Sequence, residues 1–425
     1  MLNVHSSPQI PSLPNSINLH LLDQMAQKSA TSSLRPIIIG IVLFVLLNLI
    51  FTLGVTFTPL NSKFNFSYGN FLPVKLALLK KQSHQPEVLF LGTSQTNNGF
   101  IPKVFEQASA GHSSSFNLGL PNNRYDIMLA YLQFHQKRFG KPNLVLIELS
   151  PSILEKNASI YFLPALYYRT LIEQEPSLTP TYLSNPLLAD NVKQELLFSG
   201  LSSLRQYRHT FSPVNVVRKV SEKIPKLQPS QYTGEQSEFA DSSESANSNA
   251  ETSSGNEAQF DPSWTELGWY PKSQSPHMTT PNGIQLSVIE ARKYYIDQQS
   301  AVYFDKLQAL LTYCQKENIP VALVSWPNHP AFLREFQKSP LNIAYQQGLQ
   351  RLLAQYQIPF INLNQDIPES QSQNQGGDFA DPRHLTPPGA KYFTQKLAQR
   401  LEKIPSLQAA LKPRKSTPPL ASAGS

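Results

Sequence analysis

Ser94 closes the run Val88-Leu89-Phe90-Leu91-Gly92-Thr93-Ser94, in which four apolar residues lead through a small corner to a hydroxyl. A buried parallel strand delivers a serine to the carboxyl edge of a sheet in this way, and open α/β sheets keep their chemistry at that edge. Gly-Thr-Ser is equally the pattern of a helix N-cap. The hydroxyl therefore gains chemical meaning only if the chain supplies a base for it. Asp381 and His384, three residues apart in Asp381-Pro382-Arg383-His384, are the pair that fits. An imidazole can take the serine proton, and a carboxylate can fix the ring tautomer and stabilise its charged form, which is the requirement for acyl transfer through a covalent ester.

The other polar groups near strand ends carry less. Asn328 and His329 follow an apolar run, but His329 lacks the clustered Cys, His or Asp partners of a metal ligand and reads as a turn residue. Asp378 competes with Asp381 as the orienting acid. Glu148 lies inside an apolar run, where a carboxylate that is paired or at a sheet margin is the plain reading. Arg383 reads as a solvated cation, with an anionic substrate group as its functional alternative.

Elements that would position these groups are legible from hydrophobic periodicity. Apolar runs predict strands at Val88–Leu91, Ser115–Leu118, Leu144–Leu149, 320–326 and Phe360–Leu363. A helical piece carrying Leu76, Leu78 and Leu79 precedes the first strand, and a helix over Tyr125–Phe139 after the second turns Ile127, Leu129, Ala130, Leu132 and Phe134 to the sheet. A long helix is expected from about Ser287 to Asn318, and a last one repeats Ala390, Phe393, Leu397 and Leu401 at helical spacing. Strand and helix in alternation imply an α/β fold with a parallel sheet and right-handed crossovers.

Composition sets the surroundings. The chain has 425 residues and a formal charge of +7, with 36 Lys and Arg against 29 Asp and Glu. The surplus is diffuse, with no basic stripe interleaved with aromatics, so nucleic acid is not an expected partner. The single Cys314 excludes an intrachain disulfide and a multi-cysteine zinc site; it reads as a buried structural thiol. No metal and no cofactor is called for.

Residues 1–34 read as a polar, disordered leader. From Pro36 to Phe57 no charge occurs, and a helix of that length, about 33 Å at 1.5 Å per residue, spans a bilayer core of about 30 Å. A single transmembrane helix is therefore expected at 35–58. Arg35 lies nearest the apolar run, which places the amino terminus inside and the main domain outside. The folded domain is expected in two parts, 70–227 with a helical insertion and 263–404. They are separated at 228–262 by an acidic linker with seven carboxylates and no cation. The aromatic, proline-rich stretch from Trp264 to Pro281 reads as core cover or as a lid on the site. A disordered tail is expected at 405–425.

The ordered set of Gly92-Thr93-Ser94, the glycine after the second strand and the carboxyl-terminal Asp381-Pro382-Arg383-His384 resembles the SGNH (GDSL-type) hydrolases. With an amino-terminal anchor and Ser150-Pro151 after the third strand, the layout is most similar to membrane-anchored DltD-like proteins associated with O-acylation in the cell envelope. The resemblance spans roughly 86–152 and 287–404. It implies a three-layer α/β/α sandwich around a central parallel sheet, with Ser94 as nucleophile, His384 as base and Asp381 as its partner. It also implies that the N–H groups of Gly119 and Ser94 receive the oxyanion. The family's third block supplies an asparagine, but Leu149-Ser150-Pro151-Ser152 stands in its place. Asn122 or Asn328 is the substitute expected for that donor. The implied substrates are acyl esters of cell-envelope glycans, with a carbohydrate or a membrane acyltransferase as partner. The alternative is a non-catalytic relative whose pocket binds a glycan or that acyltransferase.

Overall fold

The computed structural model describes residues 36–47, 50, 71–82, 85–109, 113–154, 162–201, 262–297, 299, 301–367 and 377–412. Residues 36–47 are helical and belong to a unit separate from the α/β domain. Ile37, Ile38, Ile39 and Leu43 on it are more than half exposed. No helix among the described residues is long and apolar enough to cross a membrane. The remainder of the span expected at 35–58, the leader at 1–34 and, apart from Pro262, the acidic linker at 228–262 lie outside the described residues.

Five strands form one parallel sheet in the order β2-β1-β3-β4-β5. They are β1 (Val88–Leu91), β2 (Ser115–Asn117), β3 (Leu144–Glu148), β4 (Val321–Ser325) and β5 (Phe360–Asn362). Leu89 stands beside Phe116 on one side and Val145 on the other, and Ile147 pairs with Leu323. Every residue of β1 and β3 is buried, because helices cover both faces of a parallel sheet and its strands become continuous apolar runs.

The helices of this domain are α1 (Phe71–Lys81), α2 (Ser94–Gly99), α3 (Pro102–Ala108), α4 (Tyr125–Phe139), α5 (Phe162–Gln174), α6 (Thr179–Leu183), α7 (Asp190–Leu201), α8 (Pro281–Arg292), α9 (Asp305–Lys316), α10 (Pro330–Lys338), α11 (Pro340–Tyr356), α12 (Pro387–Glu402) and α13 (Pro405–Gln408). Helices α4 and α9 pack on each other, while α12 packs on α2 and α3. Ala390, Phe393, Leu397 and Leu401 of α12 are all fully buried, as their spacing demands.

Three expectations need correction. Helix α4 has the expected bounds, but only part of its apolar set meets the sheet. Leu129 and Leu132 join the core around the strands, whereas Ile127, Ala130 and Phe134 enter a second core with Tyr167, Tyr168, Leu171 and Tyr182. The insertion thus covers the outer side of α4, and its tyrosines donate their hydroxyls to α4 backbone carbonyls: Tyr168 to Asp126 and Tyr182 to Ala130, both at 3.0 Å. The long helix expected from Ser287 to Asn318 is two helices, α8 and α9, with a π-turn at Lys293–Asp297. The break lets Tyr303 N–H reach Leu154 O at 2.7 Å, a tertiary contact that overrides local helix propensity. The carboxyl-terminal tail begins later than 405, since α13 follows and Leu407 and Leu411 are buried in the core.

Candidate active site

The order of strands reverses between β1 and β3, and the crevice beyond their carboxyl ends is where such sheets place ligands. Thr93 caps α2 there, its hydroxyl accepting Gln95 N–H at 3.2 Å, and Ser94 follows as the first helical residue. Glu148, at the end of β3 and 1 % exposed, holds this corner. One carboxylate oxygen accepts Thr93 N–H at 2.7 Å, Thr96 N–H at 3.1 Å and the Thr96 hydroxyl at 2.7 Å; the other accepts the Thr93 hydroxyl at 2.6 Å. Gly92 leaves room for the clamp, because a Cβ there would lie 2.5 Å from Glu148 Oε2.

Across the crevice the loop before α12 brings up the base. His384 Nε2 lies 2.8 Å from Ser94 Oγ, and His384 Nδ1 lies 2.7 Å from Asp381 Oδ2 and 2.9 Å from Oδ1. The carboxylate fixes the tautomer: Nδ1–H donates to Asp381 and the Nε2 lone pair faces the Ser94 hydroxyl. Asp381 also shapes its own loop, Oδ1 accepting Arg383 N–H at 2.8 Å and His384 N–H at 2.9 Å, an Asx-type turn that aims the ring. A short antiparallel bridge between Phe379 and Leu385 closes the loop.

Charge follows from this geometry. Burial pushes His384 below its ordinary range; Asp381 resists that push, while Lys272 and Arg383 add to it. Burial works against a charge on Asp381, but His384 and Lys272 outweigh it and hold the carboxyl well below the usual carboxylate range. Lys272 is an unexpected neighbour. Its ammonium is 2.7 Å from Asp381 Oδ2.

The oxyanion side differs from the implied arrangement. Gly119 N–H donates to Asn117 Oδ1 at 2.9 Å, so it is not poised to receive an oxyanion. Its glycine is required for another reason: a Cβ would stand 2.5 Å from Asn97 N and 2.9 Å from Thr93 O, so β2 could not approach α2 so closely. The buried Lys75 ammonium donates to Asn117 O at 3.0 Å and to Gly119 O, fixing the same strand end. Burial drives it well below the usual lysine range. Around Ser94 the backbone donors of the first turn are engaged: Thr93, Gln95, Thr96 and Asn97 N–H donate to Glu148, Thr93 Oγ1, Glu148 and Thr93 O.

The two proposed substitute donors are held differently. Asn122 is exposed and takes the left-handed position of a turn, with φ 53°. Asn328 is tied to the scaffold, accepting Gln95 Nε2–H at 3.1 Å and donating to Trp326 O at 3.2 Å. His329 caps α10 by accepting Ala331 N–H on Nδ1, and burial, with Arg334 nearby, pushes it down to about 4. Arg383 is buried rather than solvated. Its guanidinium donates to Ser152 Oγ at 2.7 Å and to Gln95 Oε1 at 3.2 Å, and lies 3.6 Å from the Tyr295 ring centroid. It links the β3 end, α2 and the histidine loop where the third-block asparagine is missing.

Cys314 is buried, and its thiol is pushed up to about 12 by that burial, so it is not poised as a nucleophile. Among the described residues no group of three or more His, Cys, Asp and Glu is arranged to hold a metal ion. Sequence reasoning missed Lys272, and it read Glu148 as a paired carboxylate without naming Thr93 and Thr96 as its partners. Lys272 carries no spacing signal at all, whereas a lone carboxylate in a buried strand was a visible anomaly.

Residues 34–401 match a family described as "Protein of unknown function (DUF1574)". Comparison with curated proteins finds no match.

Proposed function

The chain belongs to the DUF1574 family, whose description supplies no activity, and from the site itself we propose that it is a serine esterase or O-acyltransferase of the SGNH type. The observation that carries the reading is the continuous hydrogen-bonded path from Ser94 Oγ through His384 to Asp381, at 2.8 and 2.7 Å. The strand order 2-1-3-4-5, shared with flavodoxin-like sheets, and the two helix groups, α4 with α9 and α12 with α2 and α3, support a three-layer sandwich. The uncharged run from Pro36 to Phe57 supports a membrane anchor, and with it a substrate among acylated glycans of the cell envelope.

In this mechanism His384 Nε2 takes the Ser94 proton as Oγ attacks an acyl carbonyl. The tetrahedral oxyanion is received by Ser94 N–H. His384 then returns the proton to the departing alkoxide, leaving the acyl group on Ser94. Water or a carbohydrate hydroxyl gives its proton to His384, attacks the ester, and Ser94 leaves with that proton.

A fluorophosphonate probe tests this directly: wild type becomes labelled and Ser94→Ala does not. Equal labelling of both removes the nucleophile. One observation favours a second reading, a non-catalytic pocket that binds a glycan or an acyltransferase partner: the engaged Gly119 N–H leaves the oxyanion with fewer donors. On that reading Ser94→Ala keeps full function in cells while changes on the pocket rim abolish it.

A further inference from the structure

Lys272 lies in the aromatic stretch that follows the acidic linker, yet it is held at the heart of the site. Trp269 Nε1–H donates to Asn98 O at 2.8 Å, Tyr270 N–H to Asn97 O at 3.1 Å, and Asn98 Nδ2–H to Tyr270 O at 2.9 Å. Three residues beyond Lys272, Ser275 N–H donates to Ala380 O at 2.9 Å. The segment is therefore pinned to the nucleophile helix on one side of Lys272 and to the histidine loop on the other. Its ammonium contacts Asp381 Oδ2 at 2.7 Å, the same distance as His384 Nδ1 does.

We propose that Lys272 is a positioning residue of the Ser94–His384–Asp381 site, a fourth member that anchors the Asp381 carboxylate and whose charge keeps His384 a free base in more acidic solution. The inference rests on the catalytic reading of Ser94 and extends it. An imidazolium at His384 would form 3.4 Å from an ammonium that already shares its counter-ion. A like charge at that range disfavours protonation of the ring. Among the described residues, the other charged groups that act on the ring are Asp381 and Arg383 of its own loop. Helix α2 presents the uncharged Ser94 and Gln95, and His329, whose N–H donates to Pro382 O, is neutral at physiological pH. The Lys272 side chain is only a quarter exposed, so solvent screens its charge incompletely. A merely structural ion pair would contribute fold stability and leave the pH response unmoved.

The test is the rate of fluorophosphonate labelling against pH for the full chain in detergent, as wild type, Lys272→Met, Lys272→Gln and Lys272→Arg. Loss of the charge is expected to move the acid limb up by about one pH unit, a roughly tenfold slower reaction on the acid side, while K272R keeps the wild-type limb. K272Q retains a hydrogen bond to Asp381 without the charge, and it gives the answer if K272M fails to fold. Limbs of K272M and K272Q that coincide with wild type overturn the proposal. If wild type is not labelled at any pH, the catalytic reading falls instead. The ring titration of His384, followed by NMR with 13C-labelled histidine and assigned with His384→Gln, then decides: a midpoint raised in K272Q supports the role of Lys272, and an unchanged one overturns it.

Discussion

Glu148 Oε2 accepts the Thr93 N–H at 2.7 Å, which makes the end of β3 the support of the residue preceding the nucleophile. The carboxylate takes four hydrogen bonds from Thr93 and Thr96 together. Glu148→Ala removes the acceptor of all four. An unsatisfied buried donor costs about 1–3 kcal/mol, and some of these donors will find water in the space vacated. A net loss of about 3–5 kcal/mol is therefore expected, readable as a lower denaturant midpoint. Glu148→Gln keeps the shape and most of the bonds, so it should fold and retain labelling at Ser94. Unchanged stability of E148A would show that the corner does not depend on the clamp.

The triad variants should separate by role. Ser94→Ala abolishes fluorophosphonate labelling. Asp381→Asn leaves the ring near Ser94 but favours the wrong tautomer, and should slow labelling about 10³–10⁴-fold. It also puts an amide nitrogen where Asp381 Oδ2 meets Lys272 and His384 Nδ1, so its fold must be checked by circular dichroism. Because burial sets His384 below its ordinary 6.5, the neutral, competent ring predominates at pH 7. Labelling should be on its plateau there and fall only at lower pH. A limb centred above pH 7 would contradict this environment.

Gly119 offers a sharper contrast. If its role is close approach rather than oxyanion donation, Gly119→Ala acts through sterics. A Cβ at 2.5 Å from Asn97 N and 2.9 Å from Thr93 O must push β2 and α2 apart, with an overpacking cost of about 1–3 kcal/mol. Ser94 moves with α2, so labelling should fall together with stability. Loss of labelling at unchanged thermal stability would point instead to a direct part in catalysis.

Much of this site was legible in the sequence because it is written locally. A strand running into Ser94 and an Asp-x-x-His preceding a helix are patterns of a few residues, and each group lies where those patterns imply. The unread parts depend on register. Glu148 meets Thr93 only because β3 pairs with β1, setting Ile147 beside Leu91, and no spacing along the chain states that pairing. Gly119 was visible as a glycine after a strand, but whether a glycine supplies an N–H or makes room is decided by what lies above it. Lys272 is separated from Asp381 by more than a hundred residues and reaches it through backbone bonds of Tyr270 and Ser275 that any residue type but proline could make. Helix α4 illustrates the same limit for the fold: its periodicity was correct, but the tyrosine-rich insertion covers its outer side, so its apolar residues serve two cores.

His135 should dominate part of the acid response of the fold itself. It is 1 % exposed, with Nδ1–H donating to Gly140 O at 3.1 Å. Burial, its largest influence, pushes it from 6.5 to about 4, although the Gly140 bond acts in the opposite sense. Between these two values the unfolded chain binds a proton that the folded chain refuses. Stability therefore rises with pH through this window; equivalently, it is intact above about 6.5 and is lost as pH falls to about 4, by up to roughly 3 kcal/mol from this residue. His135→Phe removes the titration while keeping a ring in the helix α4 core. Its denaturant midpoint should vary less between pH 7 and pH 4.5 than that of wild type. His329, also set to about 4, titrates over the same interval in both proteins, so the difference between them isolates His135. Parallel pH profiles for the two proteins would mean that His135 is protonated at no cost in the folded state, contrary to its buried setting.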